Sequence, residues 1–570
     1  MSDGALDAAI AERLSRWEVE RVAERLWQKD GSLWAASGKP PDEVAAWLGW
    51  LDLPEEMRRR VGELEHLARD VRRDGYTRAA VLGMGGSSLA PKLFSRGFGA
   101  ADGGAAEGME LRILDSTHPD AVRDFRDWAQ SARTLFCVSS KSGSTTEPNA
   151  FHAAMSAFAP ALDFIAITDP GSSLAELARA QEFRGIVDGP PDVGGRYSAL
   201  TVFGLLPAAL LGVDLGTLLD RAVAMAEACR RPAASNPGLR LGAVIGEAAL
   251  AGRDKLTILT SRRLASFGDW AEQLVAESTG KAGTGIVPIV GEPLTEPERY
   301  GDDRCFVLLT LDDPVAPDLA ELSEMADLAS VLEGLGHPVV RIGLSDMHGL
   351  GGEFVRWEVA TAVAGTILEI DPFDQPNVQE SKDATRELLD TFRRDGVLPS
   401  PPPTVAEEGI SALADAAVLG ETPVSVDAAV RALLGSIRGG DYFAILAYLP
   451  QDPEAERSLH RLRQVVRDGL GVATSAGFGP RFLHSTGQLH KGGPQSGVFL
   501  QLSADPRRDL PIPGWPESFG ILVAAQALGD LRSLQARGRR VLRLHGADPA
   551  SLLARVESAA AQALGATISS

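Results

Sequence analysis

A chain of 570 residues, 44% of them hydrophobic, is larger than one core organises and can bury several, so two to four domains are expected and a wholly disordered chain is excluded. The formal net charge of −21 argues against nucleic acid and anionic membrane as partners, because both are bound through excess Lys and Arg. Three cysteines, Cys137, Cys229 and Cys305, are odd in number and lack metal-like spacing, and the first residues carry charge from Asp3 onward without a signal-peptide core; both features fit the cytoplasm.

Residues 1–75 read as helices. In "AAIAERLSRWEVERVAERLWQKD" apolar residues recur every three or four positions, so one stripe can pack while the charges face water. From about residue 76 short β-rich runs, "AAVLGM", "LRILDS", "TLFCVSS" and "DFIAITD", alternate with helical stretches such as "SLAELARAQEF". That alternation predicts a parallel sheet flanked by helices, with ligands gathering at the carboxyl ends of its strands. The uncharged run Ser198 to Val213 is too short to cross a bilayer and is read as a buried helix.

A second set of strands, "KLTILTS", "IVPIVG", "CFVLLTL" and "HPVVRIGLS", predicts a second α/β domain over 232–396, after a first over 76–231. The three consecutive prolines in "VLPSPPPTVAEEG" block helix, and residues 397–409 are expected to be a linker. Beyond it, residues 410–570 carry strands and a helix over Glu454 to Leu470, and are expected to form a smaller α/β appendage.

Two loops stand at the ends of predicted strands. "VLGMGGSSLAPKLF" runs strand, turn, helix; Gly86 lets backbone approach a ligand, and Ser87 sits near a helix N-terminus, where free amides suit a phosphate. The last position of the dinucleotide fingerprint G-x-G-x-x-G is Ser88, so a bare strand-to-helix bend competes with an anion site. In "VSSKSGSTTEPNAF", Ser140, Lys141, Ser142 and Thr145 converge between a strand and a helix capped at Thr145 or Thr146. Hydroxyls and one point charge there make an anion cradle, with a plain capped turn as the alternative.

The motifs "GMGGSSLAP", "SSKSGSTTEP", "VGGRYSALTVFG", "AESTGKAGTG" and "PFDQPNVQESK", in that order, resemble those of glucose-6-phosphate isomerases. "RLWQKDGSLW" and "LGWLDLP" make the chain similar above all to the isomerase half of fused transaldolase–isomerase proteins. The resemblance implies two SIS-type three-layer α/β/α domains, glucose 6-phosphate and fructose 6-phosphate as substrates, no metal or other cofactor, a homodimer, and a transaldolase chain as a further candidate partner. It assigns the sugar phosphate to Gly86, Ser87, Ser140, Lys141, Ser142 and Thr145, with Gln375 touching phosphate or sugar.

By the same resemblance Glu277 is the base that moves a proton between C1 and C2 through a cis-enediol, Arg196 stabilises the enediolate, and Lys382 assists ring opening. Their own chemistry is compatible. Glu277 precedes Gly280 near a helix C-terminus, where the dipole raises a carboxyl pKa, although an exposed i,i+4 pair with Lys281 is the alternative for an arbitrary glutamate. Arg196 is an obligate cation, and with Pro376 at the first helical position Lys382 lies nearly two turns beyond Gln375 on the same face. A surface salt bridge for Arg196 and a solvated helix face for Lys382 compete with these roles.

In one respect the sequence departs from the family pattern. Where relatives carry a histidine donated by the neighbouring subunit for ring opening, this chain has Arg304, which exchanges protons poorly at neutral pH; His348 in "SDMHGLGGEF" is the nearest substitute. His484, His490 and Lys491 in "FLHSTGQLHKGG" lack a third metal ligand and are expected to serve structure or subunit contact. An isomerase that also accepts mannose 6-phosphate and a non-catalytic phosphosugar-binding SIS protein are the competing functions.

Overall fold

Among the described residues the apolar β-rich runs build three sheets. A computed structural model describes residues 4–99, 108–311, 319–414 and 424–565. The first sheet holds β1 (Arg78–Gly83), β2 (Glu110–Leu114), β3 (Thr134–Ser139), β4 (Phe164–Thr168) and β5 (Gly185–Asp188), all parallel, in the order β2-β1-β3-β4-β5. β3 and β4 are buried along their whole length, which is why they read as unbroken apolar runs.

The chain steps from β1 outward to β2 and then back across to β3, so the connections diverge between β1 and β3. Such a switch point opens a crevice at the carboxyl ends of the strands. Gly83 pairs with Ser139 there, so both candidate anion loops leave the sheet side by side at one level.

The second sheet is also parallel, with β6 (Lys255–Thr260), β7 (Val287–Val290), β8 (Arg304–Leu311) and β9 (Val339–Leu344) in the order β7-β6-β8-β9. The run Ser198 to Val213 contains the helix Val202–Leu211, every residue of which is buried despite Pro207. The N-terminal segment holds the helices Gly4–Val19 and Leu53–Arg73, and is tied to the second domain by Trp34, whose indole N–H donates to the Ala362 carbonyl at 2.8 Å.

The C-terminal region, expected to be the smaller unit, carries the sheet with most strands. β10 (Val405–Glu407), β11 (Ile410–Ala414), β12 (Tyr442–Tyr448), β13 (Ala473–Phe478), β14 (Gly497–Ala504) and β15 (Arg540–Gly546) lie in the order β10-β11-β15-β14-β12-β13. Four are parallel, and β10 and β11 form an antiparallel edge. β10 falls inside the expected linker: once past Pro403 nothing blocks a ladder, and Val405 to Glu407 pair with β11. None of the described helices is long and apolar enough to cross a membrane.

Candidate active site

The two anion loops meet the second domain across a cleft of about 540 Å³. Gly86, Ser87, Ser140, Lys141, Ser142 and Thr145 line one wall; Gln273, Glu277, Gln375 and Lys382 line the other. Residues singled out in sequence at positions hundreds apart are thus brought together by the fold.

Glycine is needed in the first loop for close packing as well as for ligand approach. A Cβ on Gly86 would stand 1.9 Å from the Gly195 carbonyl oxygen, and Gly85 has φ +53° with His484 O only 2.9 Å from where its Cβ would be. In the second loop Thr145 precedes the helix Thr146–Ser156 as its cap residue without a side-chain capping bond, which leaves its hydroxyl to accept from Ser140 Oγ at 3.0 Å. Ser142 Oγ sits 3.1 Å from Ser144 Oγ. Lys141 Nζ is shared: it binds Asp169 Oδ2 at 2.6 Å and donates to Pro190 O at 2.8 Å while facing the cleft.

Glu277 lies in the last turn of the helix Ala265–Thr279 and is 6% exposed. Gln273, one turn back, donates to its Oε2 at 3.2 Å. Burial raises its pKa above the ordinary glutamate value, opposed chiefly by Arg196 and then His484. The helix C-terminus is thus not needed to explain the shift. The alternative pairing with Lys281 does not form, because Lys281 Nζ turns to Asp374 Oδ1 at 2.8 Å and to Asp371 O at 2.7 Å.

Arg196 is 2% exposed and bound on every side. Its Nε donates to Ser278 Oγ at 2.8 Å, its Nη2 to the carbonyls of Pro372 at 2.6 Å and Asp374 at 3.0 Å, and its Nη1 to Gln375 Oε1. The same Nη1 stands 3.7 Å from Glu277 Oε2. Gln375 is the residue before the helix Pro376–Asp395 that carries Lys382, as the Pro376 reading expects.

Arg304 is not in the cleft. It is the first residue of β8 and fully buried, with Nη1 and Nη2 on Glu292 at 2.9 and 3.2 Å and Nη1 on Thr257 Oγ1 at 2.9 Å. His348 is also outside the cleft: its ring packs edge-on against Phe98 at 5.1 Å, with Asp346 3.7 Å from Nδ1. Neither residue lines the cleft of its own chain.

The largest departure from expectation is in the C-terminal stretch. His484 lines the cleft beside Lys382, and its Nε2 is 3.1 Å from Oε1 of Glu147, a residue of the hydroxyl loop's helix for which sequence reasoning assigns no role. His490, by contrast, is packed among Tyr442, Phe482 and Phe499, and Lys491 Nζ is buried against Asp530 at 2.7 Å, so both side chains are held inside the C-terminal domain. Gln488 clamps the site from behind: it donates to Gly280 O at 2.9 Å and accepts from the Asn377 amide at 2.9 Å, joining the end of the Glu277 helix to the start of the Lys382 helix. Among the described residues no cluster of three His, Cys, Asp or Glu side chains is arranged to hold a metal.

No protein-family model matches the chain. Its fold is similar to that of a hypothetical protein from Thermus thermophilus, with TM-score 0.56 and 25% identity over 68% of this chain and 99% of that one. A glucose-6-phosphate isomerase from Chlamydia trachomatis has a similar fold, with TM-score 0.54 and 18% identity over 69% of this chain and 87% of that one. Among curated proteins, the glucose-6-phosphate isomerase of Rubrobacter xylanophilus is 30% identical over 419 residues, covering 65% of this chain and 93% of the relative. A probable glucose-6-phosphate isomerase of Natronomonas pharaonis is 31% identical over 351 residues, 55% of this chain and 80% of the relative.

Paired parallel α/β domains facing each other across a hydroxyl-lined cleft, with these relatives, place the chain among the sugar-phosphate isomerases. Within that class the chain belongs to the glucose-6-phosphate isomerase family.

Proposed function

We propose that this protein interconverts glucose 6-phosphate and fructose 6-phosphate by moving a proton between C1 and C2 on Glu277. The reading is supported above all by one observation: Glu277, buried and with a raised pKa, has the Arg196 guanidinium 3.7 Å away and an anion cradle on the facing wall. Hydroxyls of Ser140, Ser142 and Thr145, the Gly86–Ser87 turn and Lys141 hold the phosphate, and Gln375 steadies the sugar.

In the open-chain aldose Glu277 takes the C2 proton, and the electron pair enters a C1–C2 double bond. Charge gathers on O1, where Arg196 offers a fixed cation that cannot itself be neutralised. The proton returns to C1 and the O2 proton is lost as O1 is protonated, which leaves the C2 ketone; no redox partner is consumed. Homodimer formation, cytoplasmic residence and contact with a transaldolase chain belong to the same proposal.

A coupled assay of the purified chain on glucose 6-phosphate tests it, with NMR identification of fructose 6-phosphate as the expected result. Mannose 6-phosphate is assayed in parallel: equal turnover of both replaces the reading with a dual isomerase. Tight binding of both without turnover replaces it with a phosphosugar-binding protein.

A further inference from the structure

A second cavity, of about 280 Å³, lies where both parallel domains meet the C-terminal domain, and it shares no lining residue with the cleft. Three elements wall it, and each also leads into the cleft. The helix Leu89–Phe98, which follows the Gly85–Ser87 turn, supplies Lys92 and Arg96. The helix Ala265–Thr279, which carries Glu277, supplies Ser266, Asp269 and Glu272, and the turn Arg481–His484 supplies Arg481.

Its charges do not balance. Lys92 Nζ stands 3.4 Å from Asp269 Oδ2, and Arg481 Nη1, buried without a hydrogen-bond partner among the described residues, is 3.9 Å from Asp115 Oδ2. Burial acts to raise the Asp269 pKa, but Lys92, Arg481 and Arg96 outweigh it and hold the carboxyl below its ordinary value. Lys92 is itself held low by burial and then by Arg481, so the cations crowd one another. Glu272 adds no charge at neutral pH, because burial and Asp269 push its carboxyl up to about 8, and a protonated carboxyl donates. Glu456, the remaining acid of the lining, accepts from Gln451 Nε2 at 3.0 Å, while Arg463 is held by the Val290, Gly291 and Thr474 carbonyls. The wall also contains the first turn of the helix Ala265–Thr279, which has no side-chain cap. Ser266 in that turn is 2% exposed, and its hydroxyl has no partner among the described residues. Surplus cations, a helix N-terminus and unpaired donors in one cavity suit an anion.

We propose that this cavity is a second ligand site, for a compact anion bearing carboxylate or phosphate groups, and that the anion alters turnover in the cleft through the helix Ala265–Thr279. The volume suits a metabolite of a few carbons rather than a nucleotide. The helix has its first turn in this cavity and Glu277, in its last turn, in the cleft. A ligand that favours one placement of the first turn therefore favours one placement of the carboxylate. The effect on turnover rests on the isomerase reading given above; the binding does not.

Glu277→Gln saturated with glucose 6-phosphate keeps other anions out of the cleft, and calorimetry then titrates citrate and glycerol 3-phosphate against it. One anion per chain is expected to bind, citrate marking a site for carboxylates and glycerol 3-phosphate a site for phosphates. Adding Lys92→Gln and Arg96→Gln is expected to weaken that binding about 10-fold or more, the size of a hydrogen bond to a charged group. No binding of either anion, or binding that the two substitutions leave unchanged, overturns the site. Should Lys92→Gln fail to fold, Arg96→Gln alone, at an exposed position, replaces the pair, with a several-fold loss expected and unchanged affinity again overturning the site.

In steady-state assays of the unaltered chain, the anion that binds is expected to change kcat at saturating glucose 6-phosphate by about 5-fold. Lys92→Gln/Arg96→Gln is expected to remove that response and keep the basal rate. A rise in KM that saturating substrate relieves is competition in the cleft, and overturns the coupling. A chain that binds the anion at Lys92 and Arg96 but isomerises no sugar phosphate would sink the isomerase reading and leave the site standing.

Discussion

Arg196 Nη1 lies 3.7 Å from Glu277 Oε2, with both side chains buried and the guanidinium held by the Pro372 and Asp374 carbonyls and by the Ser278 hydroxyl. A cation so tethered cannot swing into a closer pair with the glutamate. In the proposed reaction it is the fixed charge beside the oxyanion.

Arg196→Lys is therefore expected to lower kcat by about 100-fold or more, with a smaller change in KM, because one ammonium cannot keep those bonds and also face the reacting oxygen. Steady-state kinetics check this, with circular dichroism to confirm folding. Unchanged kcat would remove Arg196 from the reaction.

With Glu277 as the proposed base, the pH dependence of kcat follows from its ionisation. Only its ionised form takes a proton, and burial places its pKa above the ordinary value of 4.5. Activity is then full above the raised pKa and is lost as pH falls through it, so the acid limb should lie higher than that of an exposed glutamate. Arg196 is the strongest opposing influence. Arg196→Met should move the limb further up, and a limb that stays put would contradict the link.

On the proposed reading Ser140 and Thr145 hold the phosphate, so removing either hydroxyl should act on binding. Ser140→Ala or Thr145→Ala is expected to raise KM by about 10- to 100-fold with a smaller effect on kcat, the size of a hydrogen bond to a charged group. A fall in kcat at constant KM would place these hydroxyls elsewhere in the mechanism.

Arg304 should be structural. Arg304→Met leaves Glu292, which also accepts from the Thr474 amide and hydroxyl at 2.8 Å, as an unpaired buried charge. The expected cost is about 3–5 kcal/mol of stability, read by urea unfolding, with little change in kcat at a temperature where the variant is folded.

Stability should also fall with rising pH at one identifiable site. Glu353, 3% exposed in the helix Leu350–Ile367, has its pKa raised from 4.5 to about 7 by burial, only partly offset by Arg356. A carboxyl whose folded pKa is raised favours the folded state below the unfolded value, and that advantage disappears as pH climbs from 4.5 through 7. Glu353→Gln should remove up to roughly 3 kcal/mol of this dependence, measured as unfolding free energy at about pH 5 and about pH 8.

The parallel sheets and the two loops were legible because they are local: buried strands are unbroken apolar runs, and the loops concentrate Gly, Ser and Thr at strand ends. β15 was not, since Arg540 and Arg543 interrupt "RVLRLHG", yet Arg540 pairs with Asp441 and Arg543 donates to Ser503 Oγ inside the C-terminal domain. β5 is only four residues long and begins at a glycine. The His484–Glu147 contact joins positions 337 apart in different domains. No periodicity encodes such a meeting; the visible signals were a polar, histidine-bearing stretch among apolar strands and an acid in a helix's first turn, which reads equally well as a dipole partner.

The central claim is that Glu277 carries the proton. Solvent-deuterium incorporation at C2 of glucose 6-phosphate tests it most directly in Glu277→Gln, with binding of the sugar phosphate followed in parallel. Exchange should fall by several orders of magnitude while binding persists, as expected for a lost catalytic base on which turnover depends. Wild-type-like exchange in that variant would contradict the account.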